Sequence, residues 1–572
     1  MFKEKLMKTT YKYLILGLLL CFVSLPLFSQ MYLEIDLNES QNRRNPFADQ
    51  RSPLEVFRVI ERAANDSKVQ GIILNIGSIN RNRDYLWELR NSLEQFKAKD
   101  KNIVAFISNA NMDTYKLASV ADKIVMDELG YLTILGYSMT APFAQGTLEK
   151  LGIGVREMRF YDYKSAAEMF VRDSMSEADR RQNNDYLDDI FNLTRNILMN
   201  ARNWTDEEFD AILNRDFFFS ASYALNRNLV DYLGRKEAVL KAINEVEGKE
   251  ISNFAYYGNS GSSLTGAAAY TPSRSGGLFR KASTIAVVYA NGTTDMEAGM
   301  NALKLSRTIR ELANNTQVSA IVIRVNSPGG SAEAADYVNE AVRYAKQFKP
   351  VVISMGQVAA SGGYWVAMNA SHIVANPYTI TGSIGIIGSW FYDNGLNDKL
   401  GLTTDILKRG ASADLMAGLL FPHRDFTVHE EERYKSILQA IYRTFTEKVA
   451  AGRDMDIEKV EDIARGRIFS GIRALEVGLV DSIGSFNDAL YIAQQLAEIP
   501  EGRAVRFEEY PKQTFWDRLS NPFSVLFRIL RGNNQTITAD FLADIFLPAD
   551  IRYRIERSGQ IMPILPLTLS VY

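Results

Sequence analysis

Apolar residues recur along this chain with two periods. Leu54, Phe57, Ile60 and Ala64 return at helical spacing, which predicts one apolar stripe on an amphipathic helix. Short β-branched runs follow, Gly71-Ile-Ile-Leu and then Ile103-Val-Ala-Phe-Ile. Runs of this kind suit strands buried on both faces. The same succession returns later, with Ala320-Ile-Val-Ile and Val351-Val-Ile-Ser. Apolar strands separated by helices predict an α/β fold built on mostly parallel sheet covered on both sides.

The return is a true internal repeat. Leu54 through Ile73 matches Leu303 through Val322 position for position, with Val69 and Val318 standing 249 residues apart. That offset of 249 persists at Tyr115 and Tyr364, at Ile124 and Ile373, and at the pairs Leu151-Gly152 and Leu400-Gly401. Leu229-Val-Asp-Tyr-Leu-Gly then matches Leu479-Val-Asp-Ser-Ile-Gly with an offset of 250. The expected organisation is a targeting segment over 1–30, a first repeat over 31–255, a linker over 256–283, a second repeat over 284–495 and a tail over 496–572. The linker is the Gly/Ser/Ala-rich stretch from Tyr257 to Gly277, which has too little apolar surface for a core. The tail carries an amphipathic piece with Phe515, Trp516, Leu519, Phe523, Leu526, Phe527 and Leu530, suited to a membrane surface, a neighbouring subunit or its own protein.

Composition narrows the chemistry. With 572 residues the chain exceeds one ordinary core, and a formal net charge of -3 offers no basic surface for nucleic acid. Cys21 is the only cysteine, so neither a disulfide framework nor a cysteine metal site can be built. His372, His423 and His429 are too few and too badly spaced for a histidine metal site, and no metal or cofactor is expected. Lys3, Lys5, Lys8 and Lys12 precede an apolar run from Tyr13 to Phe28. This predicts a cytoplasmic start, an anchor in the lipid bilayer and an exported body. A cleaved signal peptide is the alternative, with Ser29 at the cut, although Leu27 is a poor residue two positions before it.

The second repeat holds Asn326-Ser-Pro-Gly-Gly330 after its first strand and Ala359-Ala-Ser361-Gly-Gly-Tyr364 after the next. Glycines at a strand end let backbone N–H groups approach a ligand, and a helix starting at Ser361 would aim its free N–H groups at the same spot. Gly329 or Gly330, together with Gly362, would form an oxyanion hole facing the Ser361 hydroxyl. The serine needs a base. His372 falls at the repeat position of Lys123 and reads as structural, which leaves Lys164 in Tyr161-Asp-Tyr-Lys-Ser-Ala-Ala-Glu168 ahead of any histidine. Such a lysine would need burial to lower its pKa from about 10.4 toward neutrality, a perturbation of roughly 4 kcal/mol.

These motifs, with Thr381-Gly-Ser-Ile-Gly385 and Tyr163-Lys-Ser-Ala166, resemble the long, two-repeat form of the signal peptide peptidase A family. The resemblance runs over nearly the whole chain. It implies tandem ClpP/crotonase-like domains, a Ser361 nucleophile, a Lys164 base and a Ser383 hydroxyl that orients the lysine amine. It further implies a bowl-like homotetramer in the bacterial inner membrane, acting on the extracytoplasmic side on small apolar peptides such as cleaved signal peptides. The repeat register adds an independent test: Lys164 falls opposite Ala413, and Ser361 opposite Met112. Gly329 and Gly330 fall opposite Asn80 and Arg81. Neither repeat holds both members, so a single composite site is expected. Two other readings are a crotonase-like enzyme acting on acyl-coenzyme A thioesters and a noncatalytic membrane scaffold.

Overall fold

The computed structural model describes residues 31–37, 53–77, 79, 81–257, 268–269, 283–500 and 503–511. The expected anchor from Tyr13 to Phe28 and the amphipathic tail from Phe515 lie outside these residues. Among the described residues no helix is long and apolar enough to cross a membrane.

The first repeat contributes strands β1 (Met31–Asp36), β2 (Val69–Ile76), β3 (Asn102–Ala110), β4 (Lys123–Thr133), β5 (Ile153–Arg159), β6 (Phe218–Ser220), β7 (Tyr232–Leu233) and β8 (Phe254–Tyr257), and β9 (Ala268–Ala269) follows them. The second contributes β10 (Ser283–Asn291), β11 (Val318–Ser327), β12 (Val351–Ala360), β13 (His372–Ala375), β14 (Ile380–Gly382), β15 (Ile387–Asp393), β16 (Ile468–Ser470), β17 (Ser482–Ile483) and β18 (Val505–Tyr510).

Two compact units result. One contains residues 92–135 and 210–274 together with the chain before residue 81; the other contains 81–91, 136–209 and everything from 275 onward. The first unit's sheet runs β6-β4-β3-β2-β1-β8-β9, with β7 beside β4. The second unit's sheet runs β16-β14-β12-β11-β10-β18, with β13 joining β12 to β17. Pairing is parallel throughout both sheets except at β4–β6 and β14–β16. The helix Pro53–Asn65 buries Leu54, Phe57 and Ile60 as the periodicity requires, together with Val59, but the buried residue of the next turn is Ala63 and Ala64 is only half-buried. A stripe at 3.6 residues per turn admits either neighbour at that distance from Ile60.

Duplication is visible in individual hydrogen bonds. The Tyr115 hydroxyl donates to the Leu229 carbonyl at 2.6 Å, and the Tyr364 hydroxyl to the Leu479 carbonyl at 2.9 Å. The N–H of Ile124 donates to Asp231 and that of Ile373 to Asp481, both at 2.7 Å. The positions that carry the sequence repeat are therefore those that tie a strand to its returning loop in each unit.

Three features extend the sequence reading. β18 pairs in parallel with β10, so the second sheet reaches past residue 495 into what composition marks as tail. Ala268 and Ala269, inside the expected linker, pair with β8. Residues 136–209, though part of the first repeat by sequence, pack in the second unit. They are held there by an antiparallel ribbon in which β5 pairs with β15, from Ile153↔Asp393 to Arg159↔Ile387.

The second unit also buries a charge cluster. Arg324 on β11 donates to Glu88 at 2.7 Å and to Asp84 at 3.3 Å, and to the Ser354 hydroxyl at 2.9 Å. Burial pushes the Glu88 carboxyl up to about 7 even with the guanidinium beside it. Replacing one partner of a buried ion pair strands the other in a poorly solvating interior. Arg324→Met is expected to lower stability by about 3–5 kcal/mol, read as a fall in the urea midpoint; an unchanged midpoint would show that the two carboxyls need no cation.

Candidate active site

Lys164 stands five residues beyond the end of β5, and Ser383 four residues before the start of β15. Because Arg159 and Ile387 are register partners, the chain leaving β5 and the chain entering β15 run side by side. This juxtaposition delivers the lysine. Its Nζ lies 2.9 Å from Ser361 Oγ, 2.9 Å from Ser383 Oγ and 2.8 Å from the Ser383 carbonyl oxygen. All three sequence-derived side chains thus meet within one compact unit.

The helix Glu177–Arg202, capped by Ser176, holds the lysine segment from behind. Gln182 donates to the Tyr163 carbonyl at 3.1 Å and to Ser165 Oγ at 3.0 Å, while Ser165 donates to Asp179 at 2.6 Å. Gly466 permits the approach. Its φ is +80°, and a Cβ there would stand 2.5 Å from Lys164 Cβ. The amine is buried, and burial alone lowers its pKa to about 7. No carboxylate supplies the opposing attraction that would hold the proton on. A neutral amine has two N–H groups and one lone pair. Two donors for the Ser383 oxygens and a lone pair for the Ser361 O–H match the three contacts.

Ser361 follows the last residue of β12 and precedes the helix Gly362–Ala367, with φ +55° and ψ -118°. Positive φ in a residue with a side chain is strained backbone, of order 1–3 kcal/mol, and it turns the hydroxyl out of the strand. The Ser361 N–H donates to the Gly382 carbonyl at 2.9 Å, which pins the bend. Gly329 lies against it: φ is +101°, and a Cβ there would meet Ser361 Cβ at 2.7 Å and the Gly362 nitrogen at 2.8 Å. The Gly329 N–H is already committed to Ser327 Oγ at 3.3 Å. Among the described residues the N–H groups of Gly330 and Gly362 have no protein acceptor, and they are the two available to a developing oxyanion.

Sequence reasoning missed Thr294, whose buried hydroxyl sits between these glycines; a Cβ on Gly362 would fall 2.5 Å from Thr294 Oγ1. Neither a motif nor a repeat position marks it. The histidines stand elsewhere. His372 pairs with the Ser482 hydroxyl at 2.9 Å, and His423 lies against the Ala417 carbonyl at 3.0 Å. Among the described residues no cluster of His, Cys, Asp and Glu could hold a metal ion.

Comparison with known proteins now bears on this geometry. The family described as Peptidase family S49 matches residues 95–250 and 343–500, more than half of the chain. The chain belongs to peptidase family S49. This S49 chain is 30% identical to Protease 4 of Salmonella typhi over 81% of its own length and 75% of that protein's. It is 28% identical to the chloroplastic serine protease SPPA of Arabidopsis thaliana, covering 83% of this chain and 69% of that one. A putative signal peptide peptidase SppA of Enterococcus faecium is 33% identical over 35% of this chain and 57% of that one. As an S49 member the protein is a serine peptidase, and the two matched regions fall one in each repeat.

Burial of the lysine has a measurable consequence for this S49 peptidase. Below pH about 7 the folded protein carries the full cost of a buried ammonium. Between about 7 and the ordinary lysine value of 10.5 the unfolded chain binds a proton that the folded chain lacks, so stability rises with pH. Urea midpoints taken at pH about 6 and about 9 are expected to rise more for wild type than for Lys164→Met. Parallel shifts in the two proteins would place the amine in solvent.

Proposed function

We propose that Ser361 is the nucleophile and Lys164 the general base of a membrane-tethered endopeptidase that cuts small apolar peptides, cleaved signal peptides among them, outside the cytoplasm. The observation that carries this reading is the buried Lys164 amine, its pKa lowered to about 7, standing 2.9 Å from the Ser361 hydroxyl. As Ser361 Oγ attacks a peptide carbonyl, its proton passes to Lys164 Nζ. The N–H groups of Gly330 and Gly362 take the charge that develops on the carbonyl oxygen. The ammonium then protonates the leaving amine, and the regenerated base activates the water that releases the acyl product. Ser383 holds the Lys164 amine in line through its hydroxyl and carbonyl oxygens.

The substrate class rests on the apolar run from Tyr13 to Phe28, which would tether the body beside the bilayer, and on the similarity to the putative signal peptide peptidase of Enterococcus faecium. The same reading places the protein in the inner membrane of a bacterium, single-pass, as a homotetramer. A crotonase-like thioester enzyme would have no use for a serine facing a neutral lysine. A noncatalytic scaffold would leave Lys164 solvated, whereas it is buried.

Ser361→Ala and Lys164→Ala are each expected to lower peptide hydrolysis by about 10²- to 10⁴-fold. Wild-type kcat/KM should climb as pH rises through about 7, where the amine loses its proton. Fluorophosphonate labelling of Ser361 should require Lys164. Equal hydrolysis by all three proteins would remove the dyad.

A further inference from the structure

Thr294 lies in the loop between β10 and the helix Ala302–Asn314, beside both glycines whose N–H groups are open to an oxyanion. Its own N–H donates to the Gly329 carbonyl and its carbonyl accepts from the Ser331 N–H, both at 2.8 Å, which makes an isolated parallel bridge with Gly330. A trans peptide holds its C=O and N–H on opposite sides. Tying the Gly329 carbonyl to the Thr294 main chain therefore turns the Gly330 N–H the other way, where no protein group among the described residues accepts from it.

The side chain reaches the second glycine as well. A Cβ on Gly330 would stand 2.6 Å from the Thr294 carbonyl oxygen and 3.0 Å from Oγ1, and one on Gly362 would stand 2.5 Å from Oγ1 and 3.0 Å from Cγ2. The two branches of the threonine thus occupy the room that both glycines leave empty. A β-branched side chain has few χ1 choices, and this one is buried, so the separation it sets between the glycines is a rigid one.

Oγ1 has no hydrogen-bond partner among the described residues. An unpaired buried hydroxyl costs stability rather than adding to it. What the side chain supplies at this place is volume.

We propose that the Thr294 side chain is the spacer of the oxyanion hole, a positioning residue that holds the Gly330 and Gly362 N–H groups at the span one oxygen needs. This rests on the catalytic reading above and adds a residue to it. Were Oγ1 and Cγ2 removed, the atoms free to close the gap would be the backbone atoms of the two glycines, because neither carries a side chain. Closing it moves the N–H groups themselves, and a displacement of about 1 Å at a reacting centre costs about 10²-fold in rate. These donors serve the charged tetrahedral intermediate far more than the ground-state carbonyl. The loss accordingly falls on kcat and leaves KM.

The test uses the full-length protein in detergent. Thr294→Ala is expected to lower kcat for peptide hydrolysis about 10- to 100-fold with KM within about twofold, and to slow fluorophosphonate labelling of Ser361 by a similar factor. Thr294→Val keeps both branches and loses only the hydroxyl, so it should hold both rates at wild type and raise the urea midpoint. Gly362→Ala should be slow because its methyl meets Oγ1, and adding Thr294→Ala should recover part of the rate, since the methyl then has the vacated space. Thr294→Ser, a smaller change, should fall between alanine and wild type and carries the test should the alanine chain fail to fold. Wild-type kcat in the alanine or serine variant, a valine variant as slow as alanine, or a double variant no faster than Gly362→Ala each overturn the spacer. Ser361→Ala in the same assay reports the dyad separately: hydrolysis that survives it removes the catalytic reading and the spacer together, whereas hydrolysis that needs Ser361 and ignores Thr294 removes the spacer alone.

Discussion

An amine kept out of water without a counter-ion is the constraint around which this protein is built. A lysine in solution is charged at neutral pH, and transferring it to a site with only neutral oxygens costs several kcal/mol if the charge stays. Burial accordingly lowers the pKa to about 7, so the proton is easily given up. That outcome needs carboxylates to be kept away, and two that flank the lysine segment are engaged elsewhere: Glu168 with Arg159 at 2.7 Å, and Asp179 with Ser165. It also needs room for the chain itself, which Gly466 supplies. A carboxylate beside Nζ would restore the ordinary pKa and leave Ser361 facing an ammonium that could accept nothing.

Duplication explains why two repeats are needed for one site. In the second repeat a strained turn at Ser361, two glycines and a short helix bring a hydroxyl beside backbone N–H groups, and the amine within hydrogen-bond reach of that hydroxyl comes from the first repeat. The first repeat has Met112 where the second has Ser361, and Asn80 and Arg81 where it has Gly329 and Gly330, but it holds the lysine. The β5–β15 ribbon carries that lysine segment into the second unit. Once two repeats share one chain, neither needs to remain complete, and loss of the redundant members leaves a single site with its parts on both.

The duplication was legible because apolar periodicity and a nearly constant offset survive wherever a side chain packs in a core or closes a strand end. Tyr115 and Tyr364, or Asp231 and Asp481, are retained because each makes the same hydrogen bond in its own unit. Ser361, Lys164 and Ser383 were legible from motifs and from the complementary gaps in the repeat. Less was visible of what positions them. The cap strand β18 follows a polar stretch that looks like tail, because an edge strand with one half-exposed face needs no apolar run. Which glycine N–H stays free depends on the Ser327 hydroxyl, and the place of Thr294 beside Gly362 depends on a loop crossing; neither is a periodic property of the chain. Gln182 likewise reads as one polar residue among many on a polar helix.

Gln182 shows how closely catalysis and repeat docking are joined. Its amide nitrogen donates to the Tyr163 carbonyl at 3.1 Å, and its oxygen accepts from the Ile468 N–H at 3.1 Å. One side chain therefore spans from the segment bearing the base to the edge strand beside the site. An amide suits the place because it offers donor and acceptor together, where a carboxylate could serve only the N–H and would raise the pKa of the nearby amine. The helix that carries Gln182 also carries Asp185, Tyr186 and Asp189, which fix it to the second repeat. Displacing that helix would loosen Tyr163 and Ser165 on both sides of Lys164, so the low-pKa amine exists only while the first repeat's helix lies seated on the second.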